Sequence, residues 1–259
     1  MIVEIVGSLD VAQLVLYAFW IFFAGLIWYL QAESRREGYP LEADLTGDYN
    51  KDAWLSMPSP KTFVLPHGHG ERVYPHPANR DTRPIAAMRA SPMPGAPLIP
   101  TGDPLKDGVG PASWAERPDY PDAMADGSDK IIPMAKTAHF KVAEQDMSPI
   151  GMPVIAADGQ QVGEIKELWV DQMESVIRYF EVAVGEETRL IPMHFARFRG
   201  SFRGLGKIYY VNNLPASRFP DIPQTASPER ITMLEEEKIM GFFGGGTLYG
   251  MPDRTEPII

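Results

Sequence analysis

The chain has 259 residues, no cysteine and a formal net charge of -10, with 25 prolines and 23 glycines. The lack of cysteine excludes disulfides, thiol catalysis and thiolate-bound zinc or iron–sulfur centres. An acidic chain without a clustered Lys/Arg run is a poor candidate for sequence-independent nucleic-acid binding, and its Pro and Gly usage predicts turns and extended loops more than helix.

In chain order the first strong signal is residues 11–30, VAQLVLYAFWIFFAGLIWYL, where Gln13 is the one strongly polar side chain. Twenty helical residues span roughly 30 Å, the thickness of a bilayer hydrocarbon core. A buried core helix is rarely apolar on every face. A cleaved signal peptide needs a basic leader, whereas this leader carries Glu4 and Asp10. The pattern therefore predicts one transmembrane helix over 11–31. Arg35 and Arg36 follow the span and no Lys or Arg precedes it, which predicts residues 1–10 outside and everything after the span in the cytoplasm. Trp28 and Tyr29 suit the cytoplasmic headgroup level, and Ala24 with Gly25 could admit a neighbouring helix.

Residues 38–136 hold most of the prolines and show neither helical nor strand periodicity. Proline removes an amide donor and clashes with the preceding turn, so long helices are excluded here. A disordered linker is one reading. Trp54, Phe63, Val64, Leu65, Tyr74 and Trp114 favour the other, an extended segment over 32–136 lying along a partner protein.

From 137 onward the pattern changes. Residues 149–154, 162–171, 178–184, 188–193 and 207–211 read as short strands, with turns at Asp158-Gly159 and Gly185-Glu186. Their spacing predicts a small all-β barrel or sandwich over 137–259. Ser227-Pro228-Glu229 predicts a helix start, with Ser at the N-cap and Pro at N1. Gly244-Gly245-Gly246 then falls beyond the expected helix end and reads as turn or close packing. It lacks the GK[ST] continuation of a phosphate loop. The fold class is α+β, mainly β.

Chemistry-bearing motifs are few. The histidines are His67, His69, His76, His139 and His194, and only Pro66-His67-Gly68-His69-Gly70 has a metal-like spacing, without an evident third ligand. No GxSxG elbow, P-loop or HExxH is present; a Ser–His–Asp triad is recognised in space and stays open. Glu116, Asp119, Asp122, Asp126 and Asp129 crowd a stretch with Arg117 and Lys130. They read either as a solvated acidic loop or as a proton-collecting surface, since burial can raise a carboxylate pKa by about 3–5 units.

Several segments, in order and spacing, carry a resemblance: YAFWIFFAGLI running into REGYPL (36–41), PKTFVLPHG (60–68), TGDPLKDGVGPASW (101–114), WVD (169–171) and LEEEKI (234–239). The chain resembles the H subunit of the purple-bacterial photosynthetic reaction centre, from the membrane helix to about Met251. The resemblance implies one transmembrane helix with a periplasmic N-terminus, an extended segment over the L and M subunits, and a cytoplasmic PRC-type β-barrel with a C-terminal helix. It implies the bacterial inner (intracytoplasmic) membrane as location and a non-catalytic role. That role is to stabilise the L/M core and conduct cytoplasmic protons to the secondary quinone. No cofactor is expected on this chain; bacteriochlorophyll, bacteriopheophytin, quinones and non-haem iron would sit on partner subunits. Implied partners are L, M and membrane lipid, with a cytochrome subunit and light-harvesting antenna as further candidates. By the same resemblance Glu174 corresponds to the inner proton-path glutamate, Asp171 to the acid of Trp-Val-Asp and Arg178 to a nearby base. The family's entrance histidines have no counterpart between 115 and 130, where Asp122, Asp126 and Asp129 are the expected surface acceptors. A free-standing membrane-anchored barrel adaptor and a tethered hydrolase using His67 or His69 are the competing readings.

Overall fold

The computed structural model describes residues 4–6, 9–43, 45–48, 57–200 and 206–252; Trp54 lies outside them. The chain divides into two units, Met1–Thr82 with Pro92–Ala96, and Arg83–Ser91 with Pro97–Ile259.

In the first unit, β1 (Glu4–Val6) pairs antiparallel with β2 (Leu9–Asp10) ahead of α1 (Val11–Glu33). Asp10 caps α1, its carboxylate accepting the Gln13 amide at 2.7 Å and so satisfying one orphan donor of the first turn. α1 is long and apolar enough to cross a membrane. Leu14, Phe19, Trp20, Ile21, Phe22 and Ile27 all stand exposed, an arrangement costly in water and favourable in hydrocarbon. At its far end Arg36 turns back onto Glu33 at 2.8 Å and donates to the carbonyls of Ser59 and Tyr74 at 2.9 and 2.8 Å. Lys61 reaches Glu33 at 2.9 Å. These bonds hold the antiparallel hairpin of β3 (Lys61–Val64) and β4 (Glu71–Tyr74) against the helix end. His67 and His69 lie in the turn of that hairpin, where His67 adopts a left-handed φ of 56°.

The second unit begins with a hairpin of β5 (Ala87–Arg89) and β6 (Leu98–Pro100), then the single turn α2 (Pro104–Asp107). The main sheet comprises β7 (Ile131–Pro133), β8 (Pro153–Ile155), β9 (Gln161–Asp171), β10 (Val176–Val184), β11 (Glu187–Pro192), β12 (Ala196–Arg199) and β13 (Ile208–Val211). Its order is β11-β10-β9-β8-β13-β12, with β7 added beside β9. All pairs are antiparallel except β13 with β8. β9 carries β8 on its first half and β7 on its second, and its ladder with β10 shifts register twice. Such shifts increase local twist and bend a sheet, so the sheet curls into a half-barrel around Ile165, Leu168, Phe180, Val182, Ile191 and Val211. Asp158-Gly159 and Gly185-Glu186 turn the hairpins as their sequence suggests, with φ of 83° and 65° at the glycines.

α3 (Met233–Tyr249) closes the core with Ile239, Phe242 and Phe243. It starts five residues later than Ser227-Pro228-Glu229 suggests, with Thr232 and not Ser227 at the N-cap. The reason is a capping box: the Thr232 hydroxyl accepts the Glu235 amide at 3.1 Å, and the Glu235 carboxylate accepts the Thr232 amide at 2.8 Å. Ser227 instead makes a local turn, accepting the Glu229 amide at 3.2 Å. The helix also runs through Gly244-Gly245-Gly246 rather than ending before them. A Cβ on Gly245 would lie 2.9 Å from Ala112 Cα and Leu105 Cδ2, and one on Gly246 would lie 2.7 Å from Leu214 Cδ2. These glycines give the 105–112 segment and Leu214 direct access to the helix backbone. The same segment is anchored by a fork from Arg218 to Asp103 at 2.6 and 2.8 Å. Trp114 is covered by the cations of Arg83 and Lys238, at 3.8 and 4.9 Å from its rings.

Candidate functional site

The second unit contains a cleft of about 540 Å³ between α3, β10, the turn after β11 and the 117–131 segment. Strand β10 supplies Arg178 and Tyr179. Helix α3 supplies Glu236 and Glu237, the turn Met193–Phe195 supplies His194, and the connecting segment supplies Arg117, Asp122 and Lys130. Met233, Met240, Ile131 and Ile177 form the apolar part of the wall.

Glu236 is half-buried and accepts the Tyr179 hydroxyl at 2.8 Å. Burial raises its pKa, and the Tyr179 hydrogen bond and the Arg178 charge only partly oppose that rise. The phenol of Tyr179 is raised as well, by its burial and by the neighbouring Glu236 charge. His194 is pushed below its ordinary value by desolvation and by Arg178. Burial lowers Lys130, but the attraction of Asp171 and Asp122 outweighs it, so the ammonium is held above its usual range. The cleft thus combines groups whose proton affinities are displaced in different directions.

Of the residues singled out from sequence, Asp122 and Arg178 line the cleft. Asp171 is fully buried behind Lys130, whose ammonium lies 3.5 Å from Asp171 Oδ2 and 3.4 Å from Asp122 Oδ2. Asp171 Oδ1 accepts the amides of Met173 and Glu174, both at 3.0 Å, and so organises the turn between β9 and β10. Oδ2 accepts no hydrogen bond among the described residues. Glu174 stands at that turn with its side chain 55% exposed and Arg178 4.0 Å away. Asp126 accepts the Ser128 amide and hydroxyl at 2.9 and 2.6 Å in a tight turn. Asp129 is gripped by Arg230 at 2.7 and 3.0 Å. These two carboxylates shape the acidic loop and do not line the cleft.

Sequence reasoning missed Glu236, Tyr179, Lys130 and His194. Glu235, Glu236 and Glu237 are consecutive helical residues, which point about 100° apart. One acid therefore caps the helix, the next enters the cleft, and Glu237 meets Arg117 at 3.2 Å. Among the described residues no group of three or more His, Asp or Glu side chains could hold a metal ion.

An apolar span long enough to cross a membrane and a curled sheet closed by a helix fit a membrane-associated protein of the PRC-barrel type. Residues 142–216 match the PRC-barrel domain. Residues 3–136 match the family described as photosynthetic reaction centre, H-chain N-terminal region, and the chain belongs to that reaction-centre H-chain family. The family is one of structural subunits, which places the chain in association with a reaction-centre complex.

Proposed function

We propose that this chain caps and stabilises the L and M subunits from the cytoplasmic side and conducts protons from the cytoplasm toward the secondary quinone they carry. The cleft is the observation that carries the reading. It joins surface acceptors, Asp122 and His194, to the half-buried Glu236–Tyr179 pair and to Lys130, with Asp171 buried directly behind Lys130. Closely spaced groups of graded proton affinity are what a relay needs. Glu174, exposed at the adjoining turn, is the group placed to pass a proton into a partner surface that would bury it. Arg178 lies 4.0 Å from Glu174, and its charge limits how tightly Glu236 holds its proton. In this reading the N-terminus is periplasmic, and no pigment or quinone is held by this chain.

The test is flash kinetics on the assembled complex. Glu174→Gln and Glu236→Gln should each slow the proton-coupled second electron transfer to the quinone by roughly tenfold or more, about 1.4 kcal/mol in barrier. Primary charge separation should be unchanged. Wild-type second-transfer rates in both variants would sink the proton-path assignment. Purification of the chain without pigment-bearing partners would sink the subunit role.

A further inference from the structure

The β3–β4 hairpin of the first unit has a sidedness that the proton path does not use. Directly opposed residues in an antiparallel ladder share a face, and faces alternate along each strand. Phe63 faces Arg72 and Lys61 faces Tyr74 in the ladder, so one face carries Lys61, Phe63, Arg72 and Tyr74. The rings of Phe63 and Tyr74 meet edge to face at 6.2 Å, as that sharing requires. The other face carries Thr62, Val64, Glu71 and Val73. Two cations and two aromatics thus stand together on one side, and the hairpin's carboxylate stands on the other. Phe63 is 44% exposed, and Lys61 and Arg72 are exposed beside it.

The position of the hairpin gives this face its meaning. Lys61 is 2.9 Å from Glu33, the last residue of α1, and Arg36 bonds the carbonyls at both strand bases, Ser59 and Tyr74. The Phe63–Arg72 rung lies two residues beyond that tether, about 7 Å at strand rise. A headgroup layer is itself about 5–7 Å deep. The rung therefore stays within about one headgroup layer of the helix end, whichever way the hairpin points.

We infer that the Lys61–Phe63–Arg72–Tyr74 face rests on the headgroup layer of the membrane spanned by α1 and binds anionic phospholipid there. Arg72 meets lipid phosphate while Lys61 stays paired with Glu33, and the aromatic rings sit at the polar–apolar boundary where amphipathic and aromatic side chains collect. Charge complementarity and continuity with the span both favour this occupant. The inference rests on α1 crossing a membrane, and it adds a second, peripheral contact to that span.

Because the chain has no cysteine, single Phe63→Cys, Val64→Cys and Phe22→Cys variants each take one nitroxide label. They would be assembled into the complete complex in nanodiscs containing phosphatidylglycerol, with the unsubstituted complex setting any background from partner thiols. Collision with oxygen against a water-soluble nickel chelate reads depth. The label at 22 should read as membrane interior, that at 63 as headgroup level, and that at 64 as aqueous. Replacing phosphatidylglycerol by phosphatidylcholine, or adding Arg72→Gln, should shift the label at 63 toward aqueous values. A label at 63 as aqueous as that at 64 overturns the inference, and so does one shielded from both collision agents, which would mean that a protein covers the face. A water-exposed label at 22 would overturn the membrane span itself, a distinguishable result.

Discussion

At the residue scale, the proposed proton relay turns on the Tyr179–Glu236 pair. The Glu236 carboxyl is raised by burial, and the Tyr179 hydrogen bond, which favours the ionised form, works against that rise. Removing the donor by Tyr179→Phe should therefore lift Glu236 further above its ordinary value of 4.5. The sign for stability follows. A carboxyl with a raised folded pKa favours the folded state fully below the unfolded value, and this contribution is lost as pH rises through the folded one. The variant extends that window upward. Infrared titration of the carboxyl band, assigned by its loss in Glu236→Gln, should show a higher midpoint in Tyr179→Phe; an unchanged or lower midpoint would refute the coupling. Sequence alone could not reach this pair, because 57 positions separate the two residues and neither lies in a chemical motif. Asp171 and Arg178 were named through the resemblance alone, from the Trp-Val-Asp segment and the residues that follow it, and not from any pattern that placed them in space.

At the element scale, the long hairpin strands were the most legible part. Alternating apolar residues and Gly-containing turns place β9, β10 and β11 within one or two residues of their observed bounds. β7, β12 and the β3–β4 and β5–β6 hairpins escaped notice. Unlike β8 and β13, which are as short, β7 and the two hairpins lie in the Pro-rich stretch, and the pairing of β7 and β12 is set by β9 and β13. α3 was misread at both ends for related reasons. Ser-Pro-Glu is a local signal that the Thr232–Glu235 box outcompetes, and a Gly triplet reads as a terminus unless a neighbour needs the space. That need is measurable. Gly245→Ala gains about 1 kcal/mol of helix propensity. It also drives a methyl into Ala112 and Leu105, an overpacking that costs about 1–3 kcal/mol. A net loss of up to about 2 kcal/mol is expected, seen as a lower Tm of the detergent-solubilised chain. An equal or higher Tm would show that the segment yields, and the close approach would then not be what keeps glycine there.

At the scale of the whole molecule, topology determines whether the cleft can work at all. A proton relay feeding a quinone from the cytoplasm requires the second unit on the cytoplasmic side. The physical basis for that placement is local: Arg35 and Arg36 follow the span, while Glu4 and Asp10 precede it without a Lys or Arg. Translocation of basic flanks is disfavoured, so the proposed topology keeps the end bearing the arginines inside. The overall charge of -10 does not oppose this, because acidic residues contribute little to orientation. Lys141, 78% exposed and paired with Glu144 on the same loop, offers a tryptic site outside the sheet. Trypsin should cut there in sealed vesicles with the cytoplasmic face outward, releasing a fragment from the C-terminal side of Lys141. In right-side-out vesicles the chain should stay intact. Cleavage in right-side-out vesicles alone would put the cleft in the periplasm and remove any route from it to cytoplasmic protons, while leaving the curled sheet and its closing helix as described.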